Sequence, residues 1–111
     1  MSRRQTMTFA TLSVLKAIAG GYRYGFDIMD ATGLPSGTVY PILGRLDENG
    51  LVRSRWEDQQ VAQGRKRPPR RYYEVSAPGK KTLEKELQRI RALADISPAD
   101  VVTAGATKAE S

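Results

Sequence analysis

The chain of 111 residues is the size of one domain and leaves no room for a large multidomain enzyme. Its 18 Lys and Arg outnumber 12 Asp and Glu, and the net charge of +6 suits an acidic partner: nucleic acid, an anionic membrane or an acidic protein. With no Cys and no His, it excludes disulfides, thiolate chemistry, zinc fingers and imidazole catalysis. A domain this small buries only part of its unfolded surface, so a dimer interface would help to stabilise it.

No apolar run approaches the roughly 18 residues of a membrane span. The first seven residues are polar and basic and read as a loose arm. Ser2, Arg3 and Arg4 put a twin arginine before the fairly apolar Phe9 to Ala19, a pattern shared with short export signals. Lys16, Thr8, Thr11 and Ser13 interrupt that run, however, and Leu12, Leu15 and Ala19 fall at helical spacing. The segment therefore reads as an amphipathic first helix, about Thr8 to Ile18, stopped by Gly20 and Gly21.

A second helix is predicted over about Gly25 to Ala31, burying Ile28 and Phe26 and ending at Thr32 and Gly33, where glycine suits a left-handed cap. Leu34, Pro35, Ser36 and Gly37 start a third, with Pro35 in the first turn and Ser36 as its cap. Its buried face is Val39, Ile42, Leu43 and Leu46, and it stops at Asn49 and Gly50. Pro41 lies past the first turn, deletes one helical hydrogen bond and should bend the helix.

The period then changes to two. Leu51 to Trp56 alternates, with Val52, Ser54 and Trp56 on one side and Arg53 and Arg55 on the other, as a strand requires. Trp56 is expected to pack under the hairpin. Arg70 to Val75 is a second strand, and the polar stretch from Asp58 to Pro69 reads as a long flexible loop between them. Ser76, Ala77, Pro78 and Gly79 open a last helix that reaches about Asp95, near 25 Å at 1.5 Å per residue, with Leu83, Leu87, Ile90 and Ala94 as its apolar stripe. Ser97 to Asp100 suits the cap of one further short helix, followed by a small, polar, mobile tail.

The order helix, helix, helix, strand, loop, strand, helix predicts a mainly α chain with a small β-hairpin, arranged as a winged helix-turn-helix. Residues 1–76 form that domain with the wing at about 52–75, residues 77–96 a C-terminal dimerisation helix, and residues 97–111 a tail.

Charge placement carries the chemistry. Between Arg53 and Tyr73 stand seven basic residues against only Glu57 and Asp58, so this one segment carries five of the six net charges and the excess sits on the hairpin. A phosphate backbone explains this excess, because each Lys or Arg at a phosphate releases condensed counterions. An Arg-rich loop tip also suits the minor groove, where the potential is most negative. The plainer reading is a solvated loop kept basic for solubility.

The outward face of the third helix carries Gly37, Pro41, Gly44 and Glu48, with Thr38 and Arg45 on one flank and Tyr40 on the other. Small residues let a helix approach DNA closely, and Ser36, Thr38 and Tyr40 supply hydroxyls suited to phosphate beside the positive helix end. Positioning and shape readout are expected to outweigh direct base contacts. The alternative is an ordinary packing helix. Nothing supports catalysis: no Gly-rich phosphate loop, nucleophile elbow or carboxylate pair is present, and Asp47, Glu48, Glu57 and Asp58 read as surface charge. No loop has calcium spacing, and neither a metal nor a cofactor is implied.

The stretches Tyr24 to Ile28, Ser36 to Leu46, Asn49 to Val52 and Arg70 to Gly79 together resemble the PadR family of transcriptional regulators. The resemblance spans about Leu12 to Leu93 and implies a homodimeric winged-helix repressor of bacterial or archaeal type, working in the cytoplasm on an operator in double-stranded DNA. By position, Ser36, Thr38, Tyr40 and Pro41 match the recognition-helix motif. Tyr24 and Gly25 match the start of the helix that faces the phosphate backbone. Arg65, Lys66 and Arg67 lie where the wing tip is expected, and with Gly37, Arg45 and Arg70 they complete the expected DNA contacts.

The wing loop is longer and more basic than the short form usual in the family. The C-terminal part resembles the short subfamily, which lacks a large dimerisation domain. Dimerisation is then expected to set Leu83, Leu87, Ile90 and Ala94 of the last helix against Leu12, Leu15 and Ala19 of the partner's first. Some family members answer to small aromatic ligands, but the last helix here has no aromatic residue to mark such a site. Two other readings stay open: a winged-helix module that binds an acidic protein, and a ligand sensor whose DNA binding depends on its effector.

Overall fold

In the computed structural model, which describes residues 7–96, Thr8 opens the first helix: its Oγ1 accepts a hydrogen bond from the Thr11 N–H at 3.1 Å. The helix α1 (Phe9–Ala19) buries Leu12, Val14, Leu15, Ala17 and Ile18 and ends at the glycine pair. The second helix, α2 (Gly25–Thr32), is closed by Gly33 at φ 75°, a conformation that only glycine adopts without strain, with the Gly33 N–H donating to the Met29 carbonyl at 2.8 Å. Phe26, expected inside, is 75% exposed, because residues two apart on a helix point in nearly opposite directions and Ile28, with Met29 beside it, takes the core side of α2.

The third helix, α3 (Ser36–Glu48), buries Val39, Ile42, Leu43 and Leu46, as the spacing predicts. Its cap differs from expectation. Pro35 is the capping residue, Ser36 is the first helical residue, and no side chain accepts from the helix start. The helix continues through Pro41 as a single element.

Two strands follow, β1 (Val52–Trp56) and β2 (Arg71–Val75), paired antiparallel from Val52 opposite Val75 to Trp56 opposite Arg71. The hairpin is stitched to the helices along the far edge of β2. Tyr24 bridges Tyr72, and the Tyr73 N–H donates to the Arg23 carbonyl at 2.9 Å. The connection read as a flexible loop is in part helical: α4 (Gln59–Gly64) starts at Asp58, whose Oδ1 accepts from the Gln60 N–H at 2.7 Å, and buries Ala62. A helix of six residues has too little sequence to show a period.

The last helix, α5 (Ala77–Ala94), is capped by Ser76. The buried Ser76 hydroxyl accepts from the Gly79 N–H at 3.1 Å and donates to the Gly50 carbonyl, which joins the start of α5 to the turn before β1. One core holds these elements together: α1 and α3 supply most of it, with Ile28, Val52, Tyr73 and Leu83 from the rest. Each fully buried Leu, Ile or Val there contributes about 1.5–3 kcal/mol of burial. The expected N-terminal arm, apart from Met7, and the expected short helix and tail after Ser97 lie outside the described residues.

Candidate nucleic-acid interface

Helices α2 and α3 are joined by Gly33, Leu34 and Pro35 and form a helix-turn-helix. At the start of α3, Ser36, Gly37, Tyr40 and Pro41 are exposed and Thr38 is half-buried; Arg45 is exposed further along. Gly25 is different. It is buried, and a Cβ placed on it would run into the Tyr40 ring, whose Cε1 and Cζ would lie 2.7 Å away. Gly25 therefore serves as the seat on which Tyr40 rests rather than as an exposed contact.

The hairpin faces the same place. Tyr40, Tyr24, Gly25, Arg70 and Arg71 line one cleft of about 500 Å³ between the start of α3, the start of α2 and β2. Arg70 lies over the Tyr24 ring at 5.1 Å, and Tyr24 meets Tyr72 edge-on with ring centres 6.1 Å apart. Arg55 lies over the other side of the pair, 5.7 Å from the Tyr72 ring, and is paired with Glu74 at 3.0 Å. This alternation of cations and rings fixes the basic side chains relative to α2.

A second network joins the wing to α3. The Ser54 hydroxyl donates to Asp47 at 2.9 Å, Arg71 donates to Ser54 at 2.7 Å, and Arg71 lies 3.6 Å from the Asp47 carboxylate. A third network lies in the wing itself. Arg67 grips both carboxylate oxygens of Glu57, one of them at 2.9 Å, and the Arg70 backbone N–H donates to the same carboxylate at 3.3 Å. The Arg67 hydrogen bond holds the Glu57 carboxyl below the usual glutamate range, against the opposing effect of its burial.

These networks change two expectations. Asp47 and Glu57, read as surface charge, are the acids that hold the wing to α3 and close its loop. Arg67, expected at the wing tip, is only 20% exposed and belongs to Glu57. Arg65 and Lys66 are exposed, and among the described residues neither is in an ion pair. Lys66 has φ 56°, an unusual conformation for a residue with a side chain, at the bend where the chain leaves α4. The one sequence signal for the Glu57 clamp was its isolation: it and Asp58 are the only acids in a basic segment.

Trp56, expected beneath the wing, is 62% exposed. The expected dimer residues divide into two groups. Leu12, Leu15 and Leu83 are buried in the chain's own core, and of these Leu12 also lines the floor of a groove between α1 and α5. Leu87 is half-buried, while Ala19, Ile90 and Ala94 are exposed. Phe9, at 81% exposure, and Leu93, at 67%, extend the exposed apolar surface, and a groove of about 400 Å³ runs between them along α1 and α5. Among the described residues no helix is long and apolar enough to cross a membrane.

A helix-turn-helix followed by a basic, two-stranded wing that shares a cleft with the second of those helices defines a winged helix-turn-helix DNA-binding protein. The family model of the transcriptional regulator PadR-like family matches residues 14–85, and the chain belongs to that family. It is a DNA-binding transcriptional regulator and not an enzyme. A PadR family regulator from Clostridium difficile is similar in fold, with a TM-score of 0.71 at 22% identity over 80% of this chain and 94% of its own. A protein from Streptococcus mutans matches at a TM-score of 0.66 and 23% identity, over 93% of this chain and 94% of its own. A PadR family regulator from Eggerthella lenta matches at 0.61 and 26% identity, over 77% of this chain and 74% of its own. No curated protein matches the chain.

Proposed function

We propose that the protein is a sequence-specific repressor that works in the cytoplasm as a homodimer. One observation carries the reading: Tyr40 of α3 and Arg70 and Arg71 of the wing line the same cleft, so helix and wing approach the same DNA strand. In this reading the start of α3 enters the major groove. Ser36, Thr38 and Tyr40 take phosphates beside the positive helix end, and Gly37 and Pro41 allow close approach. Arg45 lies further along the groove, Tyr24 and Arg70 hold the strand between the grooves, and Arg65 and Lys66 reach the adjacent minor groove. A second copy joined through Phe9, Ile90, Leu93 and Ala94 supplies the second half-site about one helical turn away. Repression then follows from occupying the promoter.

Fluorescence anisotropy tests this directly. One labelled duplex carries the promoter of the protein's own gene and another a scrambled sequence of equal length, each titrated at several salt concentrations. A preference of about a thousandfold for the promoter is expected, within the range of specific binders. Equal, steeply salt-dependent binding to both overturns sequence specificity for that operator. A reporter behind the same promoter tests the sign of regulation: loss of the protein should raise expression, and a fall overturns the repressor reading.

A further inference from the structure

The sole tryptophan of the chain stands where the winged-helix reading gives it no task. The hairpin has two faces. Val52, Ser54 and Trp56 share one with Arg71, Tyr73 and Val75, and this face looks towards α3, since Ser54 and Arg71 both reach Asp47. Along it the pairs open outwards. Val52 is buried opposite Val75, Ser54 is half-buried opposite Tyr73, and Trp56 opposite Arg71 is exposed. The indole is therefore the outermost group on the inner side of the wing.

It is also held in place. The Arg71 guanidinium lies 5.5 Å from the ring centre, and Arg71 is itself bonded to Ser54 and paired with Asp47 of α3. The same Arg71 lines the cleft with Arg70 and Tyr40. An aromatic plate is thus fixed beside the Arg71 cation, at the outer end of the wing face that looks towards the recognition helix and next to the cleft that Arg71 lines. The wall of a DNA strand offers the matching surface, because deoxyribose presents apolar C–H faces between its phosphates. Flat aromatic groups flanked by Arg are the chemistry that grips nucleic acid without reading it.

We infer that Trp56 is a DNA contact, its indole packed on the deoxyribose of the strand that separates the major-groove helix from the minor-groove wing. This rests on the DNA-binding reading above and adds to it an apolar contribution that salt does not screen. An apolar protein patch is the less fitting partner for this indole, because the hairpin from Val52 to Val75 carries seven basic residues against three acidic ones.

The lone indole is its own probe. The full chain is titrated with labelled promoter duplex while anisotropy records binding and tryptophan emission and its quenching by acrylamide are read in parallel. The indole should lose acrylamide accessibility with the same midpoint as the anisotropy curve. Trp56→Ala should weaken binding about tenfold, Trp56→Phe should retain most of the affinity, and neither should change the slope of affinity against salt, since no charge is removed. Arg70→Ala, by contrast, should make that slope shallower.

Anisotropy that reports binding while the indole stays equally quenchable overturns the inference and leaves the DNA-binding reading intact. So does parental affinity in Trp56→Ala. Protection of the indole that follows protein concentration without DNA assigns this face to contact between copies and also overturns it. Absence of any DNA binding removes both readings. The quenching measurement needs no variant, so a folding defect in Trp56→Ala does not obscure the result.

Discussion

Two glycines act at residue scale through what a side chain would strike. Gly79 stands in the first turn of α5, where helix propensity favours alanine over glycine by about 1 kcal/mol. A Cβ there would run into the Leu51 carbonyl oxygen and come within 2.8 Å of Val75 Cγ2. Backbone cannot step aside as a side chain can, so Gly79→Ala should destabilise the protein by about 1–3 kcal/mol in denaturant unfolding. A gain in stability would show that α5 shifts freely on the turn before β1. Gly25 meets the far end of a side chain instead, the Tyr40 ring. Gly25→Ala should displace that ring and weaken DNA binding severalfold while the fold survives. In a double-mutant cycle with Tyr40→Ala the two losses should be far from additive, because both act on one ring. Additive losses would mean that Gly25 touches DNA by itself. The sequence marked both residues through the family motif, but only the packing separates a contact from the seat of a contact.

At the scale of elements, the wing is a closed loop with a latch. Glu57 binds the Arg67 side chain and the Arg70 backbone, and the hairpin continues through the hydrogen bond from the Glu57 N–H to the Arg70 carbonyl at 2.7 Å. Arg67→Ala should therefore disturb the order of α4, seen as a spread of amide shifts in NMR, yet leave the salt slope of DNA binding nearly unchanged. Arg65→Ala and Lys66→Ala should each reduce that slope by about one while α4 stays intact. The reverse result would place Arg67 on phosphate and undo the latch. The latch also has a pH sign. The Arg67 hydrogen bond lowers the Glu57 carboxyl in the folded wing relative to the unfolded chain. Its stabilisation is thus present above the ordinary glutamate range and lost as pH falls through the lower, folded value. The α4 amide shifts should stay native-like through the ordinary glutamate range and move only below it. Movement centred within that range would show an unpaired carboxyl.

At the scale of the whole molecule, the described residues of one copy leave an apolar surface open. Phe9, Ile90 and Leu93 are exposed along α1 and α5, and Leu93 lies beyond Leu83 and Leu87, through which α5 meets its own core. We expect a dimer in sedimentation equilibrium, and Ile90→Asp with Leu93→Asp should convert it to a monomer with near-parental helical content and much weaker operator binding. Dimer stability unaffected by both changes would move the interface elsewhere. A Leu15→Ala change should act differently: Leu15 is fully buried, so it should cost about 2–5 kcal/mol of folding stability whatever the oligomeric state.

The sequence alone determined the periodicities and the stops. Val39, Ile42, Leu43 and Leu46 lie inward because their spacing matches the helical turn, and Gly33 closes α2 because its φ is open to glycine. Local geometry also marked the strands, the α5 cap at Ser76 and the basic hairpin, and with the motif these were enough for the fold and the family. Tertiary structure decided everything that depends on what stands opposite. Leu12 and Leu83 were apolar stripe residues with two available partners, and only packing shows that they face their own core. Trp56 alternates as an inward residue would, but its strand projects beyond the core, and Phe26 lies nearly opposite Ile28 round the turn of α2, so neither side chain meets the core. Asp47 and Glu57 looked like solvated charge because their partners, Ser54, Arg71 and Arg67, come from other elements or from the far side of a loop. Periodicity gives direction around an element, whereas burial and pairing depend on where that element ends relative to its neighbours.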